Sequence, residues 1–398
     1  MGLLGWVIFL LVLCFSIMVH EFGHFLTAKK FGMKVTRFFV GFGPTLWSFR
    51  RGETEYGVKA LLVGGFCKII GMHSLDQEHH PDDEPRSFRS KPRWQRIVVL
   101  YAGVIMNFVL AFVLLIGLAL TIGIANDNTT QLGVVSPCVA ASVTALDNGG
   151  CGGSKTPSPA IAAGLRAGDT VVAYNGKPVS DWTTLGPLIK AGKPGSEVSV
   201  TVRRDGQLLT KHVKLAQVKG RPGAYMGVSP VTAFQVASPL GAAKFAGSFT
   251  SQIFSGMGHA LSNLPSSAGK LFSKQRSTET GGQVASVVTF GQQTSQAVSA
   301  DVGWRSKAEI IVALAAELNF ILALGNIVPL MPFDGGLAAV IGWESLRGWY
   351  ARSRGRPDPG HVDIGKVIPV MVGLFAILAV FSVIVLFADI VNPVSIGQ

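Results

Sequence analysis

The chain has 398 residues, of which 48% are hydrophobic and 15% are charged. Soluble domains carry about 25% charged residues, so this composition excludes a disordered chain and indicates a protein that lies in a membrane. Lys and Arg outnumber Asp and Glu by 35 to 23, which gives a net charge of +12. In a membrane protein such an excess serves orientation and contact with anionic membrane lipid, and we expect no nucleic-acid partner.

Four apolar stretches are each long enough to cross a bilayer, which takes about 20 residues of helix. They cover residues 2–28, 97–124, 309–331 and 367–387. The first stretch has no basic residue before it and no small-residue cleavage site after it. It is therefore predicted to stay as a span and not to be removed as a signal peptide. The predicted fold is a polytopic α-helical membrane protein with about four transmembrane helices.

Basic residues close to the spans predict the side of the membrane that each loop faces. They follow the first span and also separate the third span from the fourth. The first group is Lys29, Lys30, Lys34 and Arg37, and the second is Arg347, Arg352, Arg354 and Arg356. This pattern places the loops 28–96 and 334–366 in the cytoplasm. Both termini and the long segment 125–310 are then outside, in a multi-pass protein of the cell membrane.

The first span ends in an H-E-x-x-H sequence, His20 to His24. Residues four apart lie on one face of a helix, so the two imidazoles can bind one Zn²⁺ ion. Glu21 between them can act as general base toward water. Polar groups inside a span are costly and indicate function. His20 lies about 26 Å along the helix from Leu3, which places the site near the cytoplasmic side of the bilayer.

A catalytic zinc site takes three protein ligands, so the two histidines need a third. The candidate is Asp334 in the segment 326–336, NIVPLMPFDGG. If the third span runs inward, Asp334 lies at the same membrane level as the histidines. Pro329 and Pro332 interrupt helical hydrogen bonding, which is tolerated at membrane depth where protein or water satisfies the backbone. The alternative for Asp334 is a polar cap just beyond the span.

These motifs resemble those of the site-2 proteases, which are intramembrane zinc metalloproteases. The resemblance rests on HEFGH in the first span and on the N-x-x-P-x-x-x-x-D-G element, here NIVPLMPFDG. The order of segments is most similar to the actinobacterial members that carry a PDZ domain. The resemblance implies one Zn²⁺ per chain on His20, His24 and Asp334, with Glu21 as the catalytic base and acid. It also implies that Asn326 holds the substrate backbone or the oxyanion.

Two further segments resemble substrate-binding elements of this family. AGVIMN, which ends at Asn107, resembles the A-G-x-x-x-N element of the second span. Asn107 there either contacts the active site or packs helices together. Residues 59–71 resemble a membrane re-entrant β-hairpin, whose edge pairs with an extended substrate. Gly64, Gly65 and Phe66 lie at its centre, and the glycines let backbones approach closely. An ordinary turn between strands is the alternative.

Residues 125–228 resemble an inserted extracytoplasmic PDZ domain, with AGLRAGDTVV followed by NGKPV. A PDZ domain binds a peptide or ectodomain ligand by adding a strand to its sheet edge. Cys138 and Cys151 flank a Gly/Ser-rich insertion and are predicted to form a disulfide, with two free thiols as the alternative. Within the connecting segment 229–308, residues 239–275 are predicted to form amphipathic helices, either on the outer membrane surface or packed under the PDZ domain.

The predicted domains follow from these segments. Residues 1–124 hold two spans and the hairpin, 125–228 the PDZ domain, 229–308 the extracytoplasmic connection, and 309–398 the last two spans.

The resemblance implies a metalloendopeptidase of regulated intramembrane proteolysis that controls transcription in a stress response. Its substrates would be single-span membrane proteins, such as anti-sigma factors, after trimming by a site-1 protease. The alternative is a non-catalytic PDZ membrane adaptor, which the complete set of three ligands and one glutamate argues against. A zinc transporter would need polar residues in several spans, and a serine protease would need a nucleophile motif in 125–310.

Overall fold

The computed structural model describes residues 3–72, 81–126, 128–147, 150–262, 287–300, 302–330, 333–360, 362 and 364–391. Within these residues the chain forms two compact units. The first unit is drawn from both ends of the chain, up to Thr121 and again from Ser238, and the second covers Ile122–Ala237. The second unit is therefore an insertion within the sequence of the first.

The first unit is largely helical, and the second contains most of the short strands. In chain order the helices are α1 (Leu3–Lys30), α2 (Arg93–Thr121), α3 (Val143–Asp147), α4 (Pro159–Ala162), α5 (Trp182–Ala191), α6 (Pro239–Ser262), α7 (Val287–Ser299), α8 (Trp304–Ile327), α9 (Asp334–Ser353) and α10 (Ile364–Val391). The strands are β1 (Val35–Arg51), β2 (Thr54–Ile69), β3 (Ile124–Asn126), β4 (Leu132–Val135), β5 (Thr170–Tyr174), β6 (Lys177–Pro178), β7 (Glu197–Arg204), β8 (Gln207–Lys214), β9 (Val228–Pro230) and β10 (Ala233–Gln235).

Among the described helices, α1, α2 and α8 are long and apolar enough to cross a membrane. They coincide with the first three predicted spans. Their outward faces expose large apolar side chains, for example Leu11 at 63% and Val113 at 60%, a surface that suits lipid and not water. The fourth predicted span lies in α10, where the apolar stretch Val372–Phe387 is shorter. The count of four spans stays a prediction.

Helices α1 and α2 approach each other closely where glycine replaces a side chain. A Cβ atom on Gly23 would lie 2.5 Å from the carbonyl oxygen of Ala102. Small residues at a helix crossing let the backbones meet without a side chain between them. Helix α8 is joined to α1 by a polar contact, since Asn319 Nδ2 donates to Ser16 Oγ at 2.9 Å. The Gly23 contact lies within the H-E-x-x-H sequence, and the Ser16 contact lies about one turn before it.

Two further helices cover this group. Phe245, Phe249 and Ile253 of α6 pack against a core that includes Leu115 of α2 and Phe320 of α8. The apolar side of α6 is thus covered by two long helices, whereas the sequence suggested helices on the membrane surface or under the PDZ domain. Helix α7, which the sequence analysis did not identify, packs against the start of α1, where Gly5 contacts α7 and Trp6 contacts Gly291.

Strands β1 and β2 form an antiparallel hairpin with several bulges. Gly65 of β2 pairs with Val40, and Phe66 pairs with Phe39. Next to the turn, Glu53 accepts hydrogen bonds from Arg86, and from Lys29 at the end of α1. The two hydrogen bonds from Arg86, together with the one from Lys29, lower the pKa of Glu53 to about 2 despite its partial burial. These charges tie the turn of the hairpin to the end of α1.

The stretch 334–366, expected as a loop between spans, begins with a helix of 20 residues, α9. Leu337, Ala338 and Ile341 of α9 join a buried core with residues of α1, β1, β2 and α2. Their spacing of one, three and four positions is that of a helix face. The four glycines of α9 obscured this pattern in the sequence.

The second unit contains a four-stranded sheet in the order β6-β5-β7-β8, and two separate strand pairs, β4 with β9 and β3 with β10. Its core includes Val171, Leu185, Val200 and Leu215, all at most 2% exposed. Helix α5 contributes Leu185 to this core and is capped by Asp181, whose side chain accepts from Thr184 N. The unit extends beyond the predicted 125–228 because β10 returns to pair with β3.

A disulfide joins Cys138 and Cys151 in the second unit. Asp169 at the start of β5 is 1% exposed, and Arg204 at the end of β7 binds both of its carboxylate oxygens. Burial would raise the pKa of Asp169, but the Arg204 hydrogen bonds outweigh burial and hold this pKa below its usual value. The disulfide and the ion pair therefore fix loops at two places in this unit.

Candidate metal centre

Three side chains meet at one point, and they come from two helices that are far apart in the sequence. His20 and His24 lie four residues apart on α1, and Asp334 is the first residue of α9. Asp334 Oδ2 lies 3.0 Å from His20 Nε2 and 3.2 Å from His24 Nε2. The two Nε2 atoms are 3.1 Å apart. One atom from each side chain thus forms a nearly equilateral triangle.

This triangle fits the face of a tetrahedral zinc site. With zinc–nitrogen and zinc–oxygen bonds of about 2.0–2.1 Å, ligand atoms of a tetrahedron are about 3.3 Å apart. The observed separations of 3.0–3.2 Å differ from this by a few tenths of an ångström. The side chains are only 9%, 5% and 15% exposed for His20, His24 and Asp334. Two imidazoles and one carboxylate, buried and converging, form a suitable donor set for zinc.

Helix α2 contacts both imidazoles from behind. The carbonyl oxygen of Val99 accepts a hydrogen bond from His24 Nδ1 at 2.8 Å, which leaves His24 Nε2 with its lone pair toward the triangle. Metal-binding histidines commonly donate their second N–H in this way. Asn107 lies at His20 Nδ1, with Nδ2 at 3.4 Å. Between them Gly103 faces the rings, and a Cβ there would lie 2.6 Å from His24 Nε2.

The position of Asp334 depends on a tight connection between α8 and α9. Gly335 follows it so close to the carbonyl groups of Ile327 and Val328 that a Cβ would overlap with them. Glycine is therefore required directly after the aspartate. An acidic residue in the first turn is also stabilised by the helix dipole. Met331 and Pro332 of the same motif lie outside the described residues.

A buried ion pair joins α9 to the start of α2. Arg96 Nη1 lies 2.9 Å from Glu344 Oε2, and the side chains are 6% and 2% exposed. Glu344 Oε1 also accepts the backbone N–H of Val362 at 3.0 Å. The sequence analysis did not identify this pair, because its members are 248 residues apart in the chain. It holds the helix that begins with Asp334 against the helix that supports the imidazoles.

Glu21 lies beside the β-hairpin. The backbone N–H of Cys67 lies near its carboxylate, and a Cβ on Gly65 would lie 3.5 Å from Glu21 Cγ. Cys14, nearly two turns earlier on α1, donates to the carbonyl oxygen of Leu62 at 2.9 Å. The segment from Leu62 to Cys67 therefore runs alongside α1 and ends at the glutamate of the H-E-x-x-H sequence.

The remaining predicted residues lie at different places. Gly64 has a φ of +151°, and a Cβ there would collide with the ring of Phe42, so the hairpin requires glycine. The ring of Phe66 stacks on Phe39, with centroids 5.6 Å apart, and thus packs within the hairpin. Asn326 Nδ2 donates to Leu322 O of its own helix at 2.9 Å. Within the described residues, no hydrogen bond links Asn326 to the three ligands.

Sequence reasoning missed Val99, Gly103, Cys67 and the Arg96–Glu344 pair. A backbone carbonyl or N–H has no sequence pattern of its own, so Val99 and Cys67 could not be found from residue types. Gly103 was detectable, because it is the glycine of the A-G-x-x-x-N element, one helical turn before Asn107. The structure gives this glycine a physical reason, namely room for the two imidazoles.

Comparison with known proteins agrees with the interpretation of these three side chains as a metal centre. The model of peptidase family M50 matches residues 8–356. The zinc metalloproteases Rip1 of Mycolicibacterium smegmatis and of Mycobacterium tuberculosis H37Rv are 35% and 34% identical to this chain, and each alignment covers 99% of both proteins. The zinc metalloprotease RasP of Shouchella clausii is 26% identical, over 85% of this chain and 90% of its own. The family match includes all three converging side chains.

Proposed function

Since the chain belongs to peptidase family M50, the site-2 proteases, and is a zinc metalloprotease, we propose that it cleaves the transmembrane segments of single-span membrane proteins. The observation that carries this proposal is the position of the triangle of ligand atoms at the end of an apolar helix, with Glu21 next to it. A hydrolytic centre at such a position is within reach of peptide bonds that water-soluble proteases do not reach.

His20 Nε2, His24 Nε2 and Asp334 Oδ2 are the proposed zinc ligands. A bound zinc ion supplies a Lewis acid, which polarises a peptide carbonyl and lowers the pKa of water to about 7. Glu21 takes a proton from the attacking water and then delivers it to the leaving amine. Gly65 of the β-hairpin lies beside the Glu21 side chain, so the carboxylate and the hairpin edge would act on the same bound peptide.

The β-hairpin is the proposed substrate-binding element. A helix hides its peptide bonds in hydrogen bonds, so a transmembrane substrate must become extended before hydrolysis. Among the described strands, β2 between Gly65 and Cys67 pairs with β1 on one side, and an extended substrate would add on the other side. Gly64, Gly65 and Phe66 would present this edge, and Asn326 would bind the substrate backbone.

The hairpin is also proposed to dip into the membrane. Around the middle of its two strands it exposes several large apolar side chains, among them Phe42 at 47%, Trp47 at 60% and Leu61 at 58%. Exposed apolar area of this kind is stable in lipid. This would bring the β2 edge to the depth at which α1 carries Glu21.

The proposed topology has four spans, α10 being the fourth, with both termini outside and the active site near the cytoplasmic side. The unit Ile122–Ala237 would be an extracytoplasmic PDZ domain that binds a peptide or an ectodomain. Its strands and α5 are consistent with that fold. Anti-sigma factors, trimmed outside by a site-1 protease, are the proposed substrate class, and their cleavage would control transcription in regulated intramembrane proteolysis.

The test is cleavage of a helix-destabilised single-span substrate by the detergent-purified full chain. We expect cleavage by the native protein, its loss with a chelator, its return with zinc, and no cleavage by Glu21→Gln. Glu317→Gln is the matched control, because Glu317 is another glutamate within a long apolar helix, α8; this variant should cleave as the native protein does. Cleavage by Glu21→Gln at the native rate would refute the proposal.

A further inference from the structure

Asn107 is completely buried, yet one of its polar atoms has no hydrogen-bond partner among the described residues. Its side-chain oxygen Oδ1 is shielded from solvent and unpaired. Its amide nitrogen Nδ2 lies 3.4 Å from Nδ1 of His20. Buried amide oxygens are nearly always satisfied in proteins, because an unpaired one costs about 1–3 kcal/mol. The orphaned oxygen therefore needs an explanation in terms of what surrounds it.

The neighbouring imidazole provides that explanation. His20 Nε2 is the atom that lies 3.0 Å from Asp334 Oδ2 and 3.1 Å from His24 Nε2. To bind a metal through Nε2, a neutral imidazole must carry its proton on Nδ1. That N–H then needs an acceptor. The Asn107 amide supplies one after a half-turn about its last side-chain bond, because its oxygen and nitrogen exchange positions.

The same half-turn satisfies the orphaned oxygen. Oδ1 then accepts from His20 Nδ1, just as the carbonyl oxygen of Val99 accepts from His24 Nδ1 at 2.8 Å. Val99, Gly103 and Asn107 are spaced four residues apart on α2, so they form one stripe along the helix. At the two ends of this stripe, Val99 and Asn107 each provide an acceptor for one imidazole. At its middle, Gly103 leaves the space that the rings occupy.

We propose that Asn107 is a positioning residue, whose amide oxygen accepts the Nδ1 proton of His20 and so keeps the Nε2 lone pair directed at the metal. This role differs from substrate binding and from simple helix packing. A packing role looks different in this chain. Asn319, the other fully buried asparagine among the described helices, also has an unpaired Oδ1, but its amide nitrogen donates to Ser16 Oγ and to Ala315 O, and the residue contacts none of the three ligands.

The inference rests on the ligand set given under the proposed function, so its test measures zinc affinity and not proteolysis. Full-length protein in detergent is titrated with zinc against a chelator of known affinity. Asn107→Leu, which has similar size and no acceptor, should lower zinc affinity about 10- to 100-fold. Asn107→Asp keeps an acceptor and loses the amide donor, so it should stay within a few-fold of the native affinity. Asn319→Leu, the matched control, should leave zinc affinity unchanged.

Each measurement either supports or refutes the role of the Asn107 oxygen as acceptor for His20. If Asn107→Leu binds zinc as the native protein does, or if Asn107→Asp loses as much affinity as Asn107→Leu, the oxygen is not the acceptor and the inference is wrong. Equal losses in Asn107→Leu and Asn319→Leu would likewise overturn it in favour of packing.

His24→Ala tests the proposed zinc ligands independently of the role of Asn107. Native zinc affinity in that variant would refute the ligand set itself, and with it the inference. Asn107→Ala replaces Asn107→Leu if the larger side chain prevents folding.

Discussion

Substituting Gly103 by alanine tests whether the close approach of α2 holds the three ligands in place. The added Cβ would lie 2.6 Å from His24 Nε2 and 2.8 Å from His20 Nε2. Unstrained carbon–nitrogen contacts are about 3.5 Å, so the rings or the helix must move by about 0.7–0.9 Å. Metal–ligand distances tolerate about 0.2 Å. The displacement therefore exceeds what one zinc ion can accommodate, and zinc affinity should fall at least about 100-fold.

The assay is the same chelator competition, with helix content followed by circular dichroism. Gly117→Ala is the matched control, because Gly117 lies in α2 and, within the part of the chain that the structure describes, an added Cβ there would meet no atom of another element within 4 Å. Both substitutions favour the helix by about 1 kcal/mol, so neither should reduce helix content through propensity. Native zinc affinity in Gly103→Ala would refute the steric argument. A comparable loss in Gly117→Ala would show that the effect is not confined to the imidazoles.

Three other predictions concern the surrounding structure. Glu344→Leu should destabilise the protein by about 3–5 kcal/mol, because it leaves the Arg96 guanidinium buried without its carboxylate. The double variant with Arg96→Met should recover most of that loss, and additive losses in urea unfolding would contradict this. Replacing Cys138 and Cys151 with serine should destabilise the second unit by about 3 kcal/mol, given their sequence separation of 13. Proteolysis of the full chain in urea would show this, and no change would contradict a stabilising bridge. At pH values above the pKa of Glu53 in the unfolded chain, the ion pairs of Glu53 stabilise the hairpin turn. This contribution should be lost as the pH falls from about 4.5 toward 2. Thermal unfolding of Glu53→Gln should lack that part of the pH dependence, and identical profiles would contradict the ion pairs.

The long helices were predictable because their cause is local. An apolar run of about 20 residues can satisfy its backbone in lipid only as a helix, whatever the rest of the chain does. The sequence therefore predicts α1, α2 and α8 close to their observed bounds. Helix α7 was not predicted, since its sequence VVTFGQQTSQAVS is polar in large part. It is stabilised by packing on α1, which no local pattern reports.

The residues of the candidate site on α1 and the one on α9 were predictable to different degrees. His20 and His24 had to lie on one face of α1, because helix geometry places residues four apart together. Glu21 follows from the same motif. Asp334 could be brought to them only by an argument about span direction, and the short connection ending in Gly335 is what positions it. A hairpin was predicted within residues 59–71, whereas the structure places most of them in β2, whose partner strand β1 begins at Val35. The position of Gly65 beside Glu21 was not predicted.

The sequence by itself determined the chemistry of this protein: a membrane-embedded chain, two imidazoles and a glutamate on one helix, and a carboxylate to complete them. The tertiary structure decided how these groups are held. It placed the Val99 carbonyl and the Asn107 amide against the two imidazoles, and it placed Gly65 beside Glu21. The physical reason is the separation along the chain over which each kind of interaction acts. Helix geometry fixes neighbours within a few residues, whereas contacts between elements depend on how closely their backbones can approach. In this chain that approach is set by single glycines, whose effect appears only once the helices are packed.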